Sequence, residues 1–343
     1  MPSFGLDISD QSLRFVSLNI NKNGIRLKKD GERKIPAGII ESGKILNPKG
    51  LEEILTSLRS KEGIKSVRVS LPEEQVYLFK MHLDVAGLDS IREGIELSIE
   101  EHIPIPAVEA IFDYEILSQD ANRLYIQVAA IQKAVIDNYL SVFKDSGMFV
   151  PSFELEAQAI SRAVVKKGDP ETYMIVDFGE KRTGIFIVSA GVVMFTSTLD
   201  VGGTMLNGMI EKDFKVSREE AEEMKKMYGL QRNVDNKEIF AVILNCVSIL
   251  RDEISKHFLY WQTHSDEEGK KNPPIRRVIL CGGESNLIGL PDYLSVSLKT
   301  RVELANVWVN ILDPGKEVPE ISLRRALSYA SAIGLALGNF EDK

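Results

Sequence analysis

Two stretches decide how this chain reads: FGLDISDQSLRFVSL at residues 4–18 and MIVDFGEKRTGIFIVSAG at residues 174–191. In each, an apolar run of strand-forming residues ends at an aspartate, Asp7 or Asp177. The chain then turns through small and polar residues and returns as a second apolar strand. Such a turn offers backbone N–H groups and hydroxyls to phosphate oxygens, with a carboxylate behind them suited to the water shell of a metal ion. One hairpin of this kind carries little information. Two of them, one in each half of the chain, predict two similar halves that close on one nucleotide.

Outward from the first hairpin, the pattern predicts a third strand over 24–35 and a helix over 48–60 with Leu51, Ile54, Leu55 and Leu58 on one face. A buried strand over 66–72 is stopped by proline. From 75 to 148 the pattern changes. Strands over 75–83, 111–117 and 124–131 and helices over 90–102 and 133–146 give the order β-α-β-β-α, a compact subdomain inserted in the first half. A strand over 150–156 and an alanine-rich helix over 157–165 return to the main pattern. After the second hairpin come a strand over 192–203, helices over 204–214, 217–228 and 236–261, and an exposed polar loop over 265–274. A strand over 276–283, a helix over 287–298 and a small-residue helix over 323–337 complete the chain. Three strands and a helix, then a further strand and helix, thus occur twice, which is duplication at the level of fold.

At 343 residues the chain exceeds one small core and suits two lobes. Hydrophobic content of 44% and charged content of 27% are those of an ordinary globular protein. A net charge of −8 argues against a nucleic-acid binder, which needs a basic face. No apolar run suits a bilayer span, and MPSFGLDIS lacks the basic and apolar segments of a leader, so the expected place is the cytoplasm. Cys246 and Cys281 are too few and too ill-spaced for a disulfide framework or a zinc site and read as buried thiols. The four histidines show no metal-type pairing.

In order, these segments resemble the five sequence blocks of the actin, sugar kinase and heat-shock ATPase superfamily. The first phosphate block falls at 7–14, the first connecting helix at 156–163 and the second phosphate block at 177–183. The adenosine block falls at 280–285 and the second connecting helix at 330–338. The resemblance implies a duplicated ribonuclease-H-like, two-lobed α/β fold that binds ATP and Mg²⁺. Phosphoryl transfer rests on positioning and charge neutralisation. On that reading Asp7 and Asp177 orient Mg²⁺ through its waters. Ser9, Gln11, Ser12, Gly179 and Thr183 offer donors to the phosphates, Arg14 offers positive charge, and Lys181, Arg182, Gly202 and Gly203 lie alongside. Glu156 takes the place of the water-positioning acid, and it equally suits a solvated helix start. Gly282 and Gly283, with Glu284 beside them, let backbone approach adenosine, although such a pair also makes a simple turn. Glu222 and Lys225 fall at the spacing the superfamily uses at ribose and adenine, and they equally suit an exposed i,i+3 ion pair. Ser9 stands where relatives have glycine, and Glu180, Lys181 and Arg182 crowd the second turn. These departures predict nucleotide binding with at most slow hydrolysis.

Within that superfamily the chain resembles the PilM family of type IV pilus assembly proteins over nearly its whole length. The marks are FGLDIS, SLPEEQVYLFKMHL (70–83), EHIPIPAVEAIFDYEIL (101–117), STLDVGGTMLNGMI (197–210) and SREEAEEMKKMYGL (217–230). The inserted unit resembles the 1C (SHS2) subdomain shared with the cell-division protein FtsA. The expected divisions are 1–73 and 149–168 for subdomain 1A, 74–148 for the insert, 169–206 and 275–322 for 2A, 207–274 for 2B, and 323–343 for the second connecting helix. The resemblance implies a cytoplasmic scaffold peripheral to the inner membrane. Such a protein grips the N-terminal peptide of a PilN-like membrane protein, meets other inner-membrane and motor components of the pilus machine, and allows a homo-oligomer. The aromatic strand over 77–82 suits subdomain core or peptide contact. One alternative is an FtsA-like filament protein, disfavoured because the sequence stops at GLALGNFEDK without an amphipathic membrane helix. The other is a small-molecule kinase, which needs larger insertions between the blocks.

Overall fold

Tight turns between apolar runs set the first strands, β1 (Phe4–Ile8), β2 (Ser12–Asn21) and β3 (Gly24–Lys34). The computed structural model describes residues 3–22, 24–84, 90–232, 236–265, 271–311 and 321–340. Between β1 and β2 the Ser9 N–H donates to the Ser12 carbonyl at 2.9 Å. A short hairpin, β4 (Ile40–Glu41) and β5 (Lys44–Ile45), turns through Ser42 and Gly43, both at positive φ, as a type I′ turn requires. Sequence patterning does not anticipate this hairpin. Helix α1 (Pro48–Glu62) follows from its residues. The Asn47 side chain accepts the Gly50 N–H, proline opens the first turn, Gly63 ends the helix at φ 72°, and Leu51, Leu55 and Leu58 are buried.

After β6 (Ser66–Leu71) come β7 (Val76–Asp84), α2 (Ile91–His102), β8 (Ala110–Gln119), β9 (Arg123–Gln132) and α3 (Lys133–Asp145). The three strands form an antiparallel sheet in the order β7-β9-β8. Ser90 caps α2 by accepting the Glu93 N–H, and Ile95 and Ile99 of that helix join Met81, Phe112, Ile126 and Val128 in a core of their own. The elements described between 76 and 145 are therefore of the expected types, each within a few residues of its expected limits. Next, β10 (Phe149–Leu155) pairs in parallel with β6, and α4 (Glu156–Val164) begins.

The second series runs β11 (Thr172–Phe178), β12 (Thr183–Ser189), β13 (Val192–Leu199), α5 (Gly203–Phe214), α6 (Arg218–Tyr228) and α7 (Lys237–Thr263). It continues with β14 (Ile275–Cys281), α8 (Leu290–Leu298), β15 (Val302–Leu304), α9 (Leu323–Ala326) and α10 (Ala330–Leu337). Its sheet has the order β13-β12-β11-β14-β15. The first three strands are an antiparallel meander, and β14 and β15 join in parallel. Three consecutive strands followed by helix-linked parallel strands repeat the element order of β1 to β10. Ser217 and Glu220 form a reciprocal capping box on α6. The long α7 buries Ile243, Val247, Leu250 and Ile254 along one stripe, in a core shared with α5, α6, α8 and the sheet.

Small residues let α4 and α10 touch backbone to backbone. A Cβ on Gly334 would collide with the Ala159 carbonyl, and one on Gly5 with the Ala332 carbonyl. Residues 323–337, expected as one helix, are interrupted by a 3₁₀ turn at Leu327–Tyr329. The Leu327 carbonyl accepts the Gly282 N–H at 3.1 Å, which draws it away from the helical ladder. Helix α8 starts three residues later than expected because Gly289 sits at φ 81° and Pro291 occupies the first turn. Of the loop expected over 265–274, residues 266–270 lie outside the described residues.

Contact density divides the chain into two units. One comprises Met1–Asp7, Arg14–Glu32 and Glu156–Lys343, and the other Ile8–Leu13 and Arg33–Leu155. Among the described residues no helix is long and apolar enough to cross a membrane.

Candidate functional site

Two strands of the first unit, β1 and β11, carry an acid at or next to their ends. Asp7 is buried, and the Ser331 hydroxyl of α10 donates to its Oδ1 at 2.9 Å. Asp177 is partly exposed. The parallel register of β11 and β14 puts it opposite Cys281, whose thiol donates to Asp177 Oδ1 at 3.6 Å. Burial, and then the charge of Asp7, push the Asp177 carboxyl up to about 6, against smaller opposing effects of the Cys281 hydrogen bond and then Arg14. The two acids therefore share one electrostatic neighbourhood. Burial first, then Asp177 and Glu156, raise the Cys281 thiol, so the charge of Glu156, at the first position of α4, reaches the same place.

The turn after Asp177 is braced by backbone. Gly179 N–H donates to the Arg182 carbonyl at 2.9 Å, while Gly203 N–H and Thr204 N–H donate to the Gly179 and Glu180 carbonyls at 3.1 and 2.7 Å. A Cβ on Gly202 would collide with the backbone of residues 180–182, so only glycine lets the start of α5 approach this closely. The Thr183 hydroxyl is buried and donates to the Val201 carbonyl at 2.6 Å, so it braces the turn. Glu180 and Arg182 lie 3.5 and 3.8 Å from Arg218 and Asp200, and Lys181 is exposed. In the turn after Asp7, Ser9 Oγ lies 3.2 Å from Ser12 Oγ and accepts the Ser12 N–H at 3.2 Å. The Gln11 carbonyl accepts the Ile35 N–H at 2.8 Å. Arg14 pairs with Glu32 at 2.7 Å, and its Nε is buried without a hydrogen-bond partner among the described residues.

Lys225, on α6, is 3% exposed, and its Nζ lies 2.8 Å from Glu284 Oε2. That approach makes an ion pair in a buried place, and the ammonium has no hydrogen-bond partner among the described residues. On the neighbouring α5, Asn207 Oδ1 is also buried without a hydrogen-bond partner among the described residues. Glu222 pairs with Lys226 at 2.6 Å, which lowers its carboxyl, so the exposed Glu222–Lys225 pair does not form. Gly282, at φ 86°, fits against the Phe178 carbonyl and Asp177 Oδ1, where no Cβ has room, while Gly283 is exposed. The first unit thus brings Lys225, Glu284, Gly203 and Gly282 close together, with Gly282 against Asp177.

Buried Lys225 Nζ, Asn207 Oδ1 and Arg14 Nε, which have no hydrogen-bond partner among the described residues, fit a polar ligand that would engage them. Paired carboxylates fit Mg²⁺ held through water, and among the described residues no group of three His, Cys, Asp or Glu is placed to ligate a metal directly. Ser331, Cys281 and Asn207 escape sequence reasoning. Their signals were a lone hydroxyl in the apolar run ASAIGLAL, a cysteine closing a strand before Gly-Gly, and an asparagine on the inner face of α5.

A family model described as type IV pilus assembly protein PilM matches residues 5–340. Among solved structures, the chain is similar to one described as the PilM-PilN type IV pilus biogenesis complex, at 21% identity over 99% of both chains and a TM-score of 0.82. It is also similar to ethanolamine utilization protein EutJ from Carboxydothermus hydrogenoformans, at 15% identity over 98% of this chain and 89% of that one, with a TM-score of 0.58. A third likeness is to MreB5 of Spiroplasma citri bound to ADP, at 14% identity over 99% and 96% of the two chains, with a TM-score of 0.59. At such identities the likeness is one of fold, and the fold is the actin-like α/β architecture.

Proposed function

The chain belongs to the type IV pilus assembly protein PilM family, and we propose that it is an ATP-binding scaffold that grips the cytoplasmic N-terminal peptide of a PilN-like membrane protein. The observation that carries this reading is the family match over 5–340, joined to likeness over 99% of a chain in a structure described as a PilM-PilN type IV pilus biogenesis complex. The MreB5 structure of the same fold holds ADP, which supports a nucleotide here.

In this reading Asp7 and Asp177 hold Mg²⁺ through its water shell, and bound Mg-ATP supplies a phosphoryl group whose charge the site neutralises. Ser9, Gln11, Ser12 and Gly179 offer donors to the phosphates, and Arg14, Lys181 and Arg182 offer charge. Gly202 and Gly203 keep the start of α5 close. Glu222, Lys225, Gly282, Gly283 and Glu284 form the adenosine side, and Glu156 orients water. Hydrolysis is slow, because Ser9 and the residues from Glu180 to Arg182 put side chains where compact turns are needed. The inserted unit, 74–148, is the 1C-like seat for the peptide. A peptide tether holds the protein at the cytoplasmic face of the inner membrane, where it meets other pilus components.

Calorimetric titration tests the reading, using the purified chain and a synthetic N-terminal peptide from the PilN-like protein encoded in the same genome, with and without Mg-ATP. Saturable one-to-one binding is expected. A folded protein that takes up no peptide in either state refutes the scaffold role.

A further inference from the structure

The β4–β5 turn is held from three sides. Ser42 and Gly43 sit at consecutive positive φ of 50° and 70°, so their N–H groups face the same way. Both donate to the buried carboxylate of Asp10, Ser42 to Oδ2 and Gly43 to Oδ1, each at 3.1 Å. Adjacent N–H groups in such a turn form a concave anion site. The anion here is a side chain of the turn after β1, set between Ser9 and Gln11. The carbonyls of the same two residues are engaged as well. Gln75 Nε2 donates to the Ser42 carbonyl at 2.9 Å, and the Tyr139 hydroxyl donates to the Gly43 carbonyl at 3.0 Å. Gln75 immediately precedes β7, and Tyr139 lies in α3, so these donors flank the sheet of the inserted unit. Burial, then the Asp10 carboxylate, raise the Tyr139 phenol, which keeps it a donor near neutral pH. A Cβ on Gly43 would collide with Pro72, so the turn has little room to shift on its own.

We propose that Asp10 is a positioning residue for the phosphate-binding turn, and that the Ser42–Gly43 turn couples it to Tyr139 and Gln75, so that nucleotide occupancy and the placement of the inserted unit bias one another. The inference rests on the nucleotide reading above. Coupling of this kind is reciprocal: whatever displaces α3 loosens the grip on Asp10, and a ligand that orders residues 9–12 tightens the Tyr139 contact.

The test is titration of the full chain with a fluorescent ATP analogue and Mg²⁺, comparing wild type, Tyr139→Phe, Asp10→Asn and the double variant. Tyr139→Phe removes one hydroxyl and is expected to weaken binding about 3- to 10-fold. In the Asp10→Asn background, where the next link is already weakened, its effect is expected to fall below about twofold, a non-additivity that general destabilisation would not produce. Full additivity, or unchanged affinity of a folded Tyr139→Phe protein, overturns the coupling while leaving the nucleotide reading intact. A folded wild type that binds no analogue refutes that reading and this inference together. Hydrogen exchange of the wild type needs no variant: Mg-ATP is expected to slow the Ser42 and Gly43 amides, and unchanged exchange with nucleotide bound overturns the proposal.

Discussion

Replacing Asp177 with asparagine is expected to stabilise the nucleotide-free protein at neutral pH and to abolish its response to Mg-ATP. Burial, and then Asp7, raise the Asp177 carboxyl from 3.8 to about 6. Between those values the folded protein holds a proton that the unfolded chain has lost. The penalty on the folded state therefore grows as pH rises through this window and is complete above it. The whole difference corresponds to about 3 kcal/mol at 1.36 kcal/mol per pH unit. Partial exposure of Asp177 lets water recover some of that, leaving roughly 1–2 kcal/mol. Asparagine matches the shape, keeps an oxygen for the Cys281 thiol and carries no charge. Thermal unfolding should then show a rise in Tm of roughly 2–6 °C at pH 7.5, with most of the gain gone at pH 4, where the wild-type acid is protonated in the fold. Mg-ATP should add stability to the wild type and none to the variant. A variant less stable than wild type at pH 7.5, or equally stabilised at both pH values, would refute the reasoning.

Glu156→Ala is expected to leave Mg-ATP affinity within about twofold and to remove slow phosphate release, since the side chain would orient water without holding the nucleotide. Equal turnover in the two proteins would take Glu156 out of the site. Gly334→Ala places a methyl group against the Ala159 backbone, which no rotamer change relieves. The expected loss is about 2–4 kcal/mol, read as a lower urea midpoint, and an unchanged midpoint would mean that α4 and α10 part easily.

Much of the fold was legible because its elements are long and periodic. The stripe on α7 and the apolar runs of β11 and β12 leave few readings, and Asn47, Pro48 and Gly63 punctuate α1 at both ends. The missed elements are those that distant partners decide. The β4–β5 strands have two residues each, and their turn is set by Asp10, some thirty positions earlier. The break at Leu327–Tyr329 depends on an N–H from Gly282. The site divides along the same line. Its acids stand out because a strand-end aspartate occurs twice, whereas the donors that hold them come from elements whose other residues were selected for packing. Ser331 reaches Asp7 across 324 positions, and Cys281 reaches Asp177 across 104. The spacing of Glu222 and Lys225 suggested a local pair, yet burial of Lys225 turned it to Glu284, because a buried ammonium needs a nearby acid more than an exposed one does.

The same residues explain why such a site sits at strand ends and helix starts. Asp177 ionises reluctantly, Lys225 buries a charge that Glu284 balances, and Gly202 and Gly282 occupy places where any side chain would clash. Each of these weakens the empty fold, whose total stability is of the order of 10 kcal/mol. A core cannot tolerate them, because buried charge without a partner is penalised most where water is farthest. At the end of a strand, where Asp177 is partly exposed, the penalty is smaller, and a charged ligand can reverse its sign. Packing elsewhere must supply what the site withholds: α4 meets α10 backbone to backbone at Ala159 and Gly334, and the buried stripe of α7 is continuous and apolar. Stability and binding are thus assigned to different residues. This is why Asp177→Asn is expected to improve the first while it removes the second, and why Gly334→Ala is expected to damage the first without touching any group that meets a ligand.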